Sequence, residues 1–147
     1  MSQTGKLELN GEVFDLEAGR DSRFYIFDSD ENEGTITIAL DLSFQQKKYK
    51  EEFLSPSFCI NGHETGVSRV EEIIGHVFRV DTLEEADERE DTFYLYEHEP
   101  IEKYAFSISE MKGREVHIQM KGIAITDGYA DPYKTAEFSV DCWLAID

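Results

Sequence analysis

Seven carboxylates crowd the eleven positions 81–91: Asp81, Glu84, Glu85, Asp87, Glu88, Glu90 and Asp91. A soluble loop needs no such density, and the like-charge i,i+4 pairs Glu84/Glu88 and Asp87/Asp91 weaken an isolated helix by roughly a few tenths of a kcal/mol each. The chemistry such a run suits is docking of a basic protein, with long-range attraction that raises the association rate and that salt screens. The plainer alternative is a solvated connection between strands.

The stretch 127–133 places Asp127, Tyr129, Asp131 and Tyr133 around a turn. Tyrosine offers a large rigid contact area with a polar tip, so Tyr129 and Tyr133 are candidate anchors for the same partner. A different reading joins Asp127 and Asp131 to an outward-facing Trp143 as a small-molecule or carbohydrate site, with hydrolysis by the carboxylate pair as its chemistry. Asp-Gly and Asp-Pro are also ordinary turn formers.

Asp28, Asp30 and Asn32 alternate as oxygen ligands do in the first half of a calcium loop. The sixth and twelfth positions of such a loop need Gly and a bidentate Glu, and Glu33 and Ala39 stand there instead. An acidic turn between strands is expected, and if it lies near 81–91, Asp30, Glu31 and Glu33 extend the docking surface.

His63, His76, His98 and His117 have no metal-binding spacing, and Cys59 with His63 lacks the second pair that a tetrahedral site needs. Neither a metal nor a cofactor is expected. Cys59 and Cys142 have no CxxC spacing and read as free thiols, poor nucleophiles beside acids and apolar residues. Lys47, Lys48 and Lys50 are the only basic cluster, too small for nucleic acid in so negative a chain.

The elements that must position these residues follow a period of two. In 35–44, Ile36, Ile38, Leu40, Leu42 and Phe44 share one face; in 136–146, Ala136, Phe138, Val140, Cys142, Leu144 and Ile146 do, leaving Trp143 outside. Asn10-Gly11 signals a type I′ hairpin that pairs Leu7 with Phe14. Gly113 separates the alternating segments 104–109 and 116–120, a second hairpin. Beyond Gly122 the apolar parity switches from even to odd, which predicts a bulge or a crossing strand. Further strands are expected at 23–28, 57–61, 75–80 and 92–97, short helices at 66–74 and 83–91, and either a helical turn or a hairpin tip at 45–53.

The total is nine or ten short strands with one or two short helices, a mainly β, antiparallel sandwich or barrel-like fold in a single domain, 1–147. The 147 residues carry 32 acids against 14 Lys and Arg, a formal charge of −18. That balance argues against nucleic acid and anionic membrane as partners, and no apolar run is long enough to span a bilayer. At 12% aromatic the chain is no disordered acidic tail. The amino terminus lacks the apolar core of a secretory signal, so a cytoplasmic location is expected.

Small, very acidic domains without a catalytic constellation have the form expected of an inhibitor that masks the positively charged active site of a nuclease. The immunity proteins of bacterial toxin systems are of this kind. The parallel is one of charge and size, carries no motif, and transfers no residue.

Overall fold

Period-two alternation becomes strand nearly everywhere in the computed structural model, which describes residues 4–17 and 21–147. Met1 to Gln3 of the amino-terminal reading, and Arg20 of the charge balance, lie outside the described residues.

Among the described residues twelve strands form: β1 (Thr4–Leu9), β2 (Glu12–Asp15), β3 (Arg23–Asp28), β4 (Ile36–Ser43), β5 (Lys47–Tyr49), β6 (Glu52–Leu54), β7 (Ser57–Glu64), β8 (Val77–Val80), β9 (Thr92–Tyr94), β10 (His98–Lys112), β11 (Glu115–Asp127) and β12 (Lys134–Ala145). The count exceeds nine or ten because the ambiguous 45–53 stretch is itself the hairpin β5–β6, turning at Lys50 with φ 56°. Lys47 reaches back from it to Glu12 at 3.1 Å.

Ten strands make one antiparallel sheet in the order β2-β1-β12-β11-β10-β9-β7-β4-β3, with β8 also paired to β10. The sheet curls into a half-barrel. Two isolated bridges, Leu16 with Phe44 and Phe24 with Ile146, link its ends. One face of each strand fills the interior: Leu7, Leu9, Phe14, Ile38, Leu40, Leu42, Ile118 and Leu144 are fully buried. Phe58 sits in the middle, 4.8 Å from the ring of Phe93 and 4.8 Å from that of Phe138.

Asn10 and Gly11 turn with φ 49° and 85°, and Leu7 faces Phe14 as the type I′ signal predicts. Of the expected helices, α1 spans Leu83–Arg89, whereas 66–74 forms only a 3-10 turn at Val70–Ile73. Gly66 and Gly75, both at positive φ, bound that stretch, and Ile74 is left 40% exposed.

The bulge predicted at Gly122 is not there. The β11–β12 register runs unbroken from Glu115 to Ile125, and Ala124 keeps the even, buried face. The irregularity sits across the ladder in β10, between Ile101 and Lys103. A Cβ at Gly122 would lie against the Lys103 carbonyl and 2.8 Å from the Tyr104 Cα. The missing side chain lets the two strands approach closely.

Candidate partner-binding face

Helix α1 forms despite its like charges because its ends are satisfied. Thr82 caps it, with Oγ1 accepting from the Glu85 N–H at 3.1 Å. Glu84 and Glu85 sit in the first turn and Arg89 in the last, each on the favourable side of the helix dipole. Glu90 then turns left-handed with φ 61°, so Asp91 leaves the helix and the Asp87/Asp91 repulsion never arises. Ala86 is the one fully buried side chain of the helix. Glu84, Glu85, Asp87, Glu88 and Glu90 stay exposed.

Asp91 is a correction to the predicted docking surface, since its side chain is 0% exposed. It takes Arg89 Nε at 2.7 Å, the Asn61 N–H at 2.7 Å and the Tyr104 hydroxyl at 2.6 Å. Arg89 also donates to the carbonyls of Asn61 and Gly62, and Asn61 Nδ2 donates to those of Arg89 and Glu90. Tyr104 in turn meets His63 Nε2 at 2.7 Å. Because the single tyrosine proton goes to Asp91, His63 carries its own proton on Nε2 and donates. Burial, reinforced by Arg89 and opposed by Asp91, pushes His63 down to about 4. Burial and the bond to Asp91 push the Tyr104 hydroxyl up. This cluster pins the acidic helix to β7 and β10.

The same part of β7 receives the acidic turn between β3 and β4. Ser29 Oγ hydrogen-bonds Glu64, and Thr37 Oγ1 does so at 2.6 Å. Those two bonds hold the Glu64 carboxyl below its ordinary range. Glu64 lies two residues from Gly62, which Arg89 grips, a step of about 7 Å along a strand. The turn and the helix therefore flank one stretch, Asn61 to Glu64. Asp28 at the end of β3, Asp30, Glu31 and Glu33 from the turn, Glu64 from β7, the four α1 carboxylates and Glu90 are all exposed. Arg89 is the only cation among these segments, and Asp91 occupies it. Asp81, at the entry to the helix, pairs with Arg79 at 3.5 Å.

Tyr129 and Tyr133 stand elsewhere. Their loop meets the chain beyond β9, where Tyr129 bonds Glu97 and Tyr133 bonds Glu102 at 3.2 Å. Each bond holds its phenol above the ordinary range. Tyr129 is 80% exposed. Asp127 Oδ1 accepts from the Tyr129 N–H at 3.0 Å as an ordinary turn does, and Asp131 is exposed. Asp127 lines a small cavity of about 330 Å³ with Tyr96 and Lys134. Trp143 is not part of it: it pairs with His117, ten residues along β11 from Asp127, roughly 30 Å in an extended strand. The predicted ligand loop is thus divided between the two ends of the β11–β12 hairpin.

Sequence reasoning missed a second histidine array. On the outer sheet face, His117 Nε2 donates to Asp141 Oδ1 at 2.7 Å and Nδ1 accepts from Ser109, while the imidazole stacks on Trp143 at 5.0 Å. Ser109 lies at the second register irregularity of β10, between Ile108 and Glu110, which turns its hydroxyl toward the ring. Only the ladder register could reveal this grouping, since the residues come from three strands. None of the three lines the cavity beside Asp127.

Cys142 is buried and Cys59 half-buried, both free. Burial, with Asp41 and Asp91 nearby, pushes the Cys59 thiol up to about 11. Among the described residues no group of three or more His, Cys, Asp or Glu is placed to hold a metal ion, and no helix is long and apolar enough to cross a membrane. The chain matches no family model, and comparison with curated proteins and with solved structures returns no match.

Proposed function

We propose that this chain is a binding protein that engages a basic protein through the face formed by α1, the β3–β4 turn and Glu64. A cationic surface such as a nuclease active site, masked in the manner of an immunity-type inhibitor, is the kind of target this chemistry suits. The observation that carries the reading is the convergence: two acidic stretches some fifty residues apart in sequence flank the same four residues of β7. Carboxylates gathered on one side create a directed field, whereas the same charge scattered evenly would serve solubility alone. Such a field acts mainly on association rate. Anchoring α1 through half-buried Arg89 and buried Asp91 presents its carboxylates in a fixed array, which lowers the ordering cost of binding.

The test is capture of partners at low and at high salt by wild type and by a variant carrying Glu84→Gln, Glu85→Gln, Asp87→Asn and Glu88→Gln, followed by association kinetics with the captured protein. The expected result is a basic protein held by wild type, weakened by salt, and associating at least about tenfold more slowly with the variant at low salt. Equal association rates for the two proteins would overturn the reading.

A further inference from the structure

A cavity of about 680 Å³ opens over β1, β8, β10, β11 and β12, with Asp81, at the entry to α1, among its lining residues. Its size is that of small-molecule sites, on the order of 300–1,000 Å³. One in-register row crosses it: Glu8 on β1, Ser139 on β12, Lys121 on β11, Ala105 on β10 and Arg79 on β8. Lys103 stands two residues along β10 from Ala105 on the same face. Strand geometry puts the Cα atoms of Arg79 and Lys121 each about 5 Å to either side of Ala105, and that of Lys103 about 7 Å along the strand. Ala105 lies between three long cationic side chains, all of which line the same cavity.

This grouping runs against the composition. In a chain of net charge −18, three of the 14 basic residues line one cavity. Arg79 has Asp81 at 3.5 Å, but among the described residues neither Lys103 nor Lys121 has a carboxylate within 4.0 Å. The cavity also holds three acids, Glu8 on β1, Glu137 on β12, and Asp81, which pairs with Arg79. An anion that takes Arg79 displaces Asp81 from it.

We propose that this cavity is a binding site for a small ligand bearing a compact anionic group, a phosphate above all, seated over Ala105 between Arg79, Lys103 and Lys121. Arginine grips two oxygens in a fork and the lysines add point charges, the arrangement a tetrahedral oxyanion favours.

The experiment is titration of the full chain with inorganic phosphate, followed by amide NMR at constant ionic strength, with sodium chloride as the control anion. Saturable shifts centred on Ala105, Lys121 and Gly122 are expected, absent with chloride. Lys103→Gln with Lys121→Gln should weaken binding about tenfold or more. Ala105→Leu, which fills the space between the three cations at an outward-facing strand position, should abolish it while the remaining spectrum reports an intact fold. Shifts no larger than those with chloride, shifts centred elsewhere, or unchanged affinity in either folded variant would overturn the proposal.

Discussion

His63 and His117 each belong to a chain of three groups that ends on an aspartate and includes a hydroxyl, yet the two differ in order and in surroundings. In the first, Tyr104 stands between His63 and an Asp91 that is 0% exposed; in the second, His117 stands between Ser109 and an Asp141 whose side chain is 64% exposed. The donor and acceptor types are nearly the same, so what separates the arrays is water. Around Asp91 every lone pair must find a protein donor, and Arg89, Asn61 and Tyr104 supply them. Around Asp141 solvent substitutes for any lost partner. His117 and Gln119 hold its carboxyl below the ordinary range in spite of partial burial, but that bond competes with water throughout. The buried array is therefore a structural pin for the acidic helix, and the exposed one a weak cross-strand tie.

Removing the charge at Asp91 should break this contrast most severely. Asp91→Asn leaves Arg89 half-buried without its counter-ion and should cost about 3–5 kcal/mol in urea unfolding. A loss under about 1 kcal/mol would mean that water reaches the site.

Next in size is the pH dependence set by His63. Its folded value, about 4, lies below the ordinary 6.5, so the unfolded chain takes up the proton first. Stability is complete above 6.5 and declines as pH falls toward 4, by up to about 3 kcal/mol from this group. His63→Gln should remove that part of the slope, and the same slope in both proteins would transfer the effect to the carboxylates.

Tyr104→Phe deletes only the hydroxyl, orphaning the His63 donor and one Asp91 acceptor position. The expected loss is about 1–3 kcal/mol, measured in the same way. Asp141→Asn should be the mildest, below about 1 kcal/mol, because solvent screens an exposed pair. A larger effect would show that the outer array is more than a surface tie.

Much of the scaffold was legible from residue types alone. Alternation in 36–44 and 136–146 identified both strands and their buried faces, because a period-two stripe can bury itself in no other regular conformation. The short helix expected at 83–91 formed as α1, and Asn10-Gly11 fixed the first register. The parity switch at Gly122 misled, since the irregularity it signalled lies on the neighbouring strand, which no pattern within 116–125 could report. Asp91 misled as well: in the sequence it is one more carboxylate in a run, and only its distance from Tyr104 and Asn61 distinguishes it.

By itself the sequence determined the local states of this protein: which segments extend, which faces turn inward, where turns fall, and that the molecule is strongly negative. Those follow from side-chain periodicity and backbone sterics, which act between neighbours in the chain. Only the tertiary structure decided which acids are ligands of Arg89 and which face solvent, that the 28–33 turn and α1 are tied to the same stretch of β7, and that Arg79, Lys103 and Lys121 surround one alanine. Strand pairing brings those residues together across gaps of tens of positions, and the register of that pairing is a property of the whole sheet.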